Sequence, residues 1–307
     1  AVPPDYADVL SGINHPELAT IYGPALQAVF AAGVAMTGPD PMGIRILFAV
    51  FNLGVIALLL RSEAPRDVAL YAWSPIVVAE VALHTHPDGI LALFIIGSLM
   101  LARRRPILAG ILLGMAAGTK LVALAAWPLL LRNGGRSILA AALTLALLYF
   151  PFVAHGSDAG LTSTGTFASR WLFNPLGFAV FDSLLPHPLD RIAAGFAGIM
   201  LVFLLHATSA SIKETPLAAI FAVALLIAPA VNAWYILWVL PFAVGRPGIW
   251  PWLLNLALPL SYLTGLNLEI ATLAPFKVHP AAYALEVALI LIAVAMGLRQ
   301  AIRKHSQ

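Results

Sequence analysis

The chain has 307 residues, 61% of them hydrophobic and only 10% charged, with a formal net charge of +3. A soluble domain carries about 25% charged residues, so this composition excludes an ordinary soluble protein and points to a polytopic membrane protein. The absence of cysteine excludes a disulfide framework and thiol chemistry; the expected partner is the lipid bilayer, not a nucleic acid.

In chain order, residues 1–21 read as a water-exposed loop, polar, proline-bearing and unlike a signal peptide. A chain that opens in such a loop is expected to continue from a preceding membrane helix. Pro24 to Met36 is apolar but shorter than the ~20 residues a span requires, so it is expected to lie along the membrane surface. The turn TGPDPMG follows. Ile44–Leu60, Val68–Leu83 and Gly89–Ala102 read as spans. Ile107–Leu131 is apolar apart from Thr119-Lys120, and a lysine at mid-bilayer is costly. Two short helices meeting at Lys120 are therefore expected. Ser137–Phe152 spans next, and a long loop runs from His155 to Asp190. Ile192–His206, Leu217–Ala230, Tyr235–Val244, Trp250–Leu263 and Ala281–Leu298 complete the apolar set. Window counting gives about eleven crossings. The fold class expected is all-α: one membrane bundle over 44–298, with an outer loop and juxtamembrane helix at 1–43 and a cytoplasmic tail at 299–307.

Charge placement sets the expected orientation. With the N-terminal loop outside, Arg61, Arg66, Arg103, Arg104, Arg105, Arg132, Arg136, Lys213, Arg246, Arg299, Arg303 and Lys304 fall inside and only Arg45, Lys120, Arg170, Arg191 and Lys277 elsewhere, in agreement with the positive-inside rule. The acidic residues lean the other way, with Asp5, Asp8, Asp88 and Asp158 among those that fall outside. A site built from the polar clusters would then face the non-cytoplasmic side of an inner or plasma membrane.

The densest cluster is WSPIVVAEVALHTHPD, Trp73 to Asp88. Asp88 follows Pro87 at the end of two spans, and suits either a general base or an N-cap for the helix beginning at Gly89. His84, His86 and Asp88 alternate as metal ligands sometimes do, but no further ligand accompanies them, and no metal is assigned. The imidazoles equally suit hydrogen bonds to phosphate or sugar hydroxyls. Glu80 lies four residues before His84, on the same helix face. It reads either as a buried glutamate paired with that histidine or as a functional carboxylate. Lys120 follows Gly110, Gly114 and Gly118, a smooth groove for close helix packing. Its ammonium suits a phosphate or snorkels to the interface. Arg170, Trp171 and Asn174 join an arginine to aromatics in the long loop, fit for a phosphate or sugar face or an aromatic belt. Trp234 and Tyr235 read most simply as belt residues.

Several stretches resemble the GT-C superfamily of polyprenol-phosphate-sugar-dependent glycosyltransferases, in particular the glycosyltransferase 87 branch related to bacterial α-mannosyltransferases. INHPELATIYGPALQAVF, with Tyr22, resembles that family's Tyr-Pro-Pro stretch before a juxtamembrane helix. Met42-Gly43-Ile44-Arg45 resembles its arginine at the start of the next span. YAWSPIVVAEVALHTHPDGILALF resembles its Pro-x-x-x-x-Glu then Gly-His-x-Asp pattern, and AGILLGMAAGTKLVALAAWPLLL its glycine-rich helix ending in lysine. RWLFNP and PAVNAWYILWVLP resemble two later motifs. The series covers nearly the whole chain in consistent order. Departures are Gly23 for the first proline and Thr85 where glycine precedes the histidine. The family's main acidic motif has no copy here; it belongs upstream of Ile13, and the settings of Asp5 and Asp8 do not match it.

What the resemblance implies is an inverting hexosyltransferase of the cell envelope. It would move a sugar, with mannose expected, from a polyprenyl-phosphate donor to a glycan or glycolipid acceptor, with no cofactor. Asp88 would be its second carboxylate, with the main base upstream. Lys120, His86, His84, Glu80, Arg170, Trp171, Asn174, Tyr22, Arg45, Trp234 and Tyr235 would bind substrate. The competing expectation is a transporter or flippase for a lipid-linked or polar solute. That class favours inverted repeats around broken helices, and no internal repeat is evident.

Overall fold

The computed structural model describes residues 4–13, 15–131, 134–209 and 216–305. Arg132 and Lys213, both expected on the inner side, lie outside these residues, as do the side chains of Arg303 and Lys304. The described chain is all-helical, with no strand. Four helices are long and apolar enough to cross a membrane: Met42–Leu59, Gly135–Ala154, Leu189–Ala207 and Pro280–Ile302. Shorter apolar helices are Pro24–Thr37, Gly89–Leu101, Pro106–Thr119, Leu217–Leu226 and Ala233–Ala243. The chain divides into two compact units, residues 1–58 with 79–170 and residues 59–78 with 171–307.

In the first unit, Pro24 opens Pro24–Thr37 at a position where its missing N–H costs nothing, and Gly38, at φ 66°, ends the helix. The predicted turn then closes on its own side chains. Thr37 Oγ1 donates to the Asp40 carbonyl at 2.7 Å, and the Met42 N–H donates to Asp40 Oδ1 at 2.8 Å. The core of this unit is Pro106–Thr119, which packs most extensively on Gly135–Ala154 and Gly89–Leu101. Its glycines permit this. A Cβ on Gly110 would collide with the Ser137 carbonyl, one on Gly114 would meet the Ala141 carbonyl at 2.7 Å, and one on Gly118 would meet Leu148 Cδ1 at 2.5 Å. All three neighbours lie on Gly135–Ala154, so the glycine stripe is the groove the sequence predicted.

The expected break at Lys120 is present. Pro106–Thr119 stops there, Lys120 is extended (φ −154°, ψ 131°), and a 3₁₀ helix, Leu121–Ala126, continues. The segment read as a single span over Val68–Leu83 is instead interrupted. Helix Pro65–Ala72 ends at Trp73, a short helix Pro75–Val78 follows, and a π-helical turn covers Ala79–Leu83. Pro75 has no N–H to donate and disfavours helix at the residue before it, which accounts for the interruption.

The second unit carries the remaining long helices. Its core includes Phe221 stacked on Phe242 at 5.3 Å and Tyr235 stacked on Trp238 at 4.1 Å. The loop predicted from His155 to Asp190 contains two short helices, Leu161–Arg170 in the first unit and Phe178–Leu184 in the second. The former is rich in hydroxyl side chains, which bond back to their own turns, as Thr166 Oγ1 does to the Thr162 carbonyl at 3.0 Å.

Candidate functional site

The site grows from two breaks in helical structure within the first unit. At the first, the π turn widens the backbone so that the His84 N–H donates to the Ala79 carbonyl at 2.9 Å and the His86 N–H to the Glu80 carbonyl at 2.7 Å. Thr85 between them sits at φ 60°, a genuine outlier for a β-branched residue. π turns are rare and concentrate at functional positions. The local result is that both imidazoles face one carboxylate: His84 Nδ1 lies 3.2 Å and His86 Nδ1 2.8 Å from Glu80 Oε2. The Glu80 side chain is fully buried, while those of His84 and His86 keep 51% and 20% exposure.

Asp88 stands next, at the position preceding Gly89–Leu101. It makes no side-chain capping bond to that helix. Its Oδ1 instead accepts a hydrogen bond from Lys120 Nζ at 2.6 Å, with the Asp88 side chain fully buried and Lys120 14% exposed. The second break thus supplies the partner of the first. Because Lys120 leaves the helix in an extended conformation, its ammonium reaches Asp88 rather than snorkelling alone.

Tyr22 completes this grouping. Lys120 Nζ lies 5.6 Å from the Tyr22 ring centroid, within cation–π range. The segment carrying Tyr22 is tied down on both sides. The Gly23 N–H donates to the Thr119 carbonyl at 3.1 Å. Gln27 Nε2 donates to the Tyr22 carbonyl at 2.9 Å, and Thr164 Oγ1 to the Ile21 carbonyl at 3.3 Å. Gly23 is required here, because a Cβ would collide with the Gly118 carbonyl. The turn at the start of Leu161–Arg170 is itself braced by Asp158. Hydrogen bonds from Thr162 and from the Gly160 N–H hold its carboxyl below the usual aspartate range.

The structure therefore gathers Tyr22, Glu80, His84, His86, Asp88 and Lys120 in one unit, along one turn-rich stretch and its lysine partner. Arg45 and Arg170 are exposed in the same unit and make no ion pair among the described residues. Trp171, Asn174, Trp234 and Tyr235 belong to the second unit. There Asn174, buried and at φ 49°, donates from Nδ2 to Glu286 Oε1 at 2.9 Å. Arg191 Nη2 donates to the Trp171 carbonyl at 3.2 Å. Tyr235 is buried against Trp238, whereas a belt residue would present its ring to the interface.

Sequence reasoning missed Glu286, fully buried within Pro280–His305. The signal was there to use, since a carboxylate in an apolar span is a candidate by default.

Fold and site together define a helical protein built for a membrane, with a buried carboxylate–ammonium pair where two helical segments break. Comparison of the chain with protein-family models, with curated proteins and with solved structures finds no match.

Proposed function

We propose that the protein is a membrane glycosyltransferase that takes its sugar, mannose in the first instance, from a polyprenyl-phosphate donor. The observation that carries this reading is the 2.6 Å Lys120–Asp88 pair at the paired helix breaks, under the Tyr22 ring. A buried ammonium held in place by a carboxylate is suited to an anionic headgroup, and preorganised charge is what a departing phosphate needs as negative charge develops on it. The resemblance of the motif series to the GT-C enzymes supports the same reading; in it the chain makes about eleven crossings, the shorter helices passing through the bilayer as broken pairs, with the site on the non-cytoplasmic side.

In this reading the acceptor hydroxyl gives its proton to a carboxylate. A bond forms from the acceptor oxygen to the anomeric carbon, and the bond from that carbon to the phosphate oxygen breaks. Polyprenyl phosphate leaves with the electron pair, and the anomeric configuration inverts. Asp88 is assigned to position Lys120, because taking up a proton would cancel one half of the pair. The proton goes to another carboxylate, and His84, His86, Arg45 and Arg170, all in the first unit, are assigned to the substrate surface.

One observation favours a second reading. Broken helices with charged residues at the breaks are how transporters build solute sites. The two separate in proteoliposomes containing the full-length protein, polyprenyl phosphate carrying radiolabelled mannose, and an extract of glycolipid acceptors. The enzyme reading expects label in a new product after both leaflets have been extracted. Label that crosses the bilayer still attached to its polyprenyl phosphate would establish the flippase reading instead.

A further inference from the structure

The histidine corner contains a group of ligands that the ion pair does not use. One carboxylate oxygen of Glu80 and one ring nitrogen each of His84 and His86 lie within 4.8 Å of one another. We propose that Glu80, His84 and His86 form a binding site for one divalent transition-metal ion of the zinc class.

The donor set selects the ion. Two imidazoles and one carboxylate suit zinc and its neighbours, whereas magnesium and calcium prefer all-oxygen sites. Two histidines and a glutamate with a further position left open is also the pattern of catalytic rather than structural zinc. The sequence pointed at His84, His86 and Asp88, a set that lacked a suitable further ligand. The structure replaces Asp88, committed to Lys120, with Glu80 from the π turn.

Geometry is close to what an ion requires. Tetrahedral bonds of about 2.0–2.1 Å put neighbouring ligand atoms about 3.3 Å apart. The Glu80 Oε2–His84 Nδ1 and Glu80 Oε2–His86 Nδ1 distances are 3.2 and 2.8 Å, so an ion opens these two edges by a few tenths of an ångström, while the edge between the two imidazoles, within 4.8 Å, has to close. Both rings already present Nδ1 to the carboxylate. In the metal-free state a neutral imidazole donates its N–H there. An ion takes the place of those bonds, each neutral ring carrying its proton on Nε2 instead. The burial gradient supplies a route in. Glu80 forms the floor, His86 is partly covered, and His84 is half-exposed, so His84 is the ring that swings to close the site. The widened turn and the positive φ at Thr85 are what bring residues 80, 84 and 86 to one point.

The site is independent of whether the protein transfers a sugar, and its test reads metal directly. The full-length protein, purified in detergent with a histidine-free tag, is stripped with a chelator and equilibrated with limiting Zn²⁺. Bound metal is then measured by elemental analysis after desalting, and Co²⁺ replaces Zn²⁺ to report coordination through its visible absorption. One retained equivalent is expected, with a Co²⁺ spectrum of a four- or five-coordinate site. His84→Ala, His86→Ala and Glu80→Gln should each weaken binding by more than the roughly tenfold to hundredfold lost with an outer-sphere partner. Asp88→Asn and His155→Ala should retain the ion. Failure to retain metal, or equal retention in all variants, would overturn the proposal. His84→Ala decides the matter even if a Glu80 variant misfolds, because His84 is half-exposed and its removal leaves the core intact.

Discussion

Asp88 and Glu286 are both buried carboxylates in apolar surroundings, yet their settings differ in kind. Asp88 sits at a helix break and meets an ammonium. Glu286 sits on the face of the unbroken helix Pro280–His305 and meets the side-chain amide of Asn174. The neutral amide bonds one oxygen of the carboxyl and fastens a loop to a helix, leaving Glu286 Oε2 and Asn174 Oδ1 without a hydrogen-bond partner among the described residues, and it carries no charge toward a ligand. An ion pair at a break has both charge and irregular backbone beside it, and irregular backbone in a membrane is tolerated where it is covered by protein or lines a cavity. The contrast sets a charged corner at a helix break, the one the proposed function uses, apart from a neutral contact on a regular helix.

The largest effect should come from unbalancing the corner. Lys120→Met leaves the buried Asp88 carboxylate without its ammonium, an arrangement that costs about 3–5 kcal/mol in general. Thermal melting in detergent should show this, with Asp88→Asn added in the same chain recovering much of the loss. If the double variant is no more stable than Lys120→Met, the two residues are not coupled and the contrast fails.

A smaller effect is expected at the neutral contact. Asn174→Ala removes the amide that bonds Glu286 and puts alanine at φ 49°. An unsatisfied buried polar group costs about 1–3 kcal/mol, with roughly 1–2 more for the left-handed backbone. Glu286→Gln, which keeps an acceptor for the amide, should be milder. A loss of sugar transfer in Glu286→Gln without loss of stability would make this region part of the chemistry and erase the distinction.

Gly114→Val tests the groove that positions Lys120. Overpacking against Ala141 and Thr144 should cost about 1–3 kcal/mol, while the same substitution at Gly165, where a Cβ meets nothing within 4 Å, should cost less in the same melting assay.

The smallest effect concerns Asp158. Its carboxyl is held below the ordinary value of 3.8 by hydrogen bonds from Thr162 first, then Gly160. A lowered value means the stabilisation is complete above the unfolded pKa and is lost as pH falls below about 4, through the lower folded value. Hydrogen exchange in the 157–165 segment should rise over that range relative to Asp158→Asn, which has no carboxylate to protonate.

Much of the corner was legible because membranes make certain residues expensive. A lysine in an apolar run required a break at Lys120, and glycines every fourth residue required a close neighbour. Helix Pro24–Thr37 was recognisable from its length and its opening proline. The destination of the Asp88 side chain was not legible, since the same residue at the same position serves equally as an N-cap. Nor was the π turn, whose one extra residue per turn puts both histidines on Glu80; period-based reading assumes a regular helix. The break at Pro75 was signalled by Ser74-Pro75 and hidden by the apolar residues around it. The Asn174–Glu286 pair joins residues 112 apart in sequence, a distance at which local patterns say nothing.

Service of the Lys120–Asp88 corner to an anionic lipid-linked donor is tested most directly by sugar transfer. Transfer should be measured in membranes carrying the full-length protein and polyprenyl phosphate bearing radiolabelled mannose, for the wild type, Lys120→Ala, Asp88→Asn and Glu286→Gln at matched amounts of folded protein. The expected result is a fall of roughly 10²–10³-fold for Lys120→Ala, the scale of losing one preorganised charge-stabilising donor, a large fall for Asp88→Asn, and near wild-type transfer for Glu286→Gln. Unchanged transfer in Lys120→Ala and Asp88→Asn would contradict it.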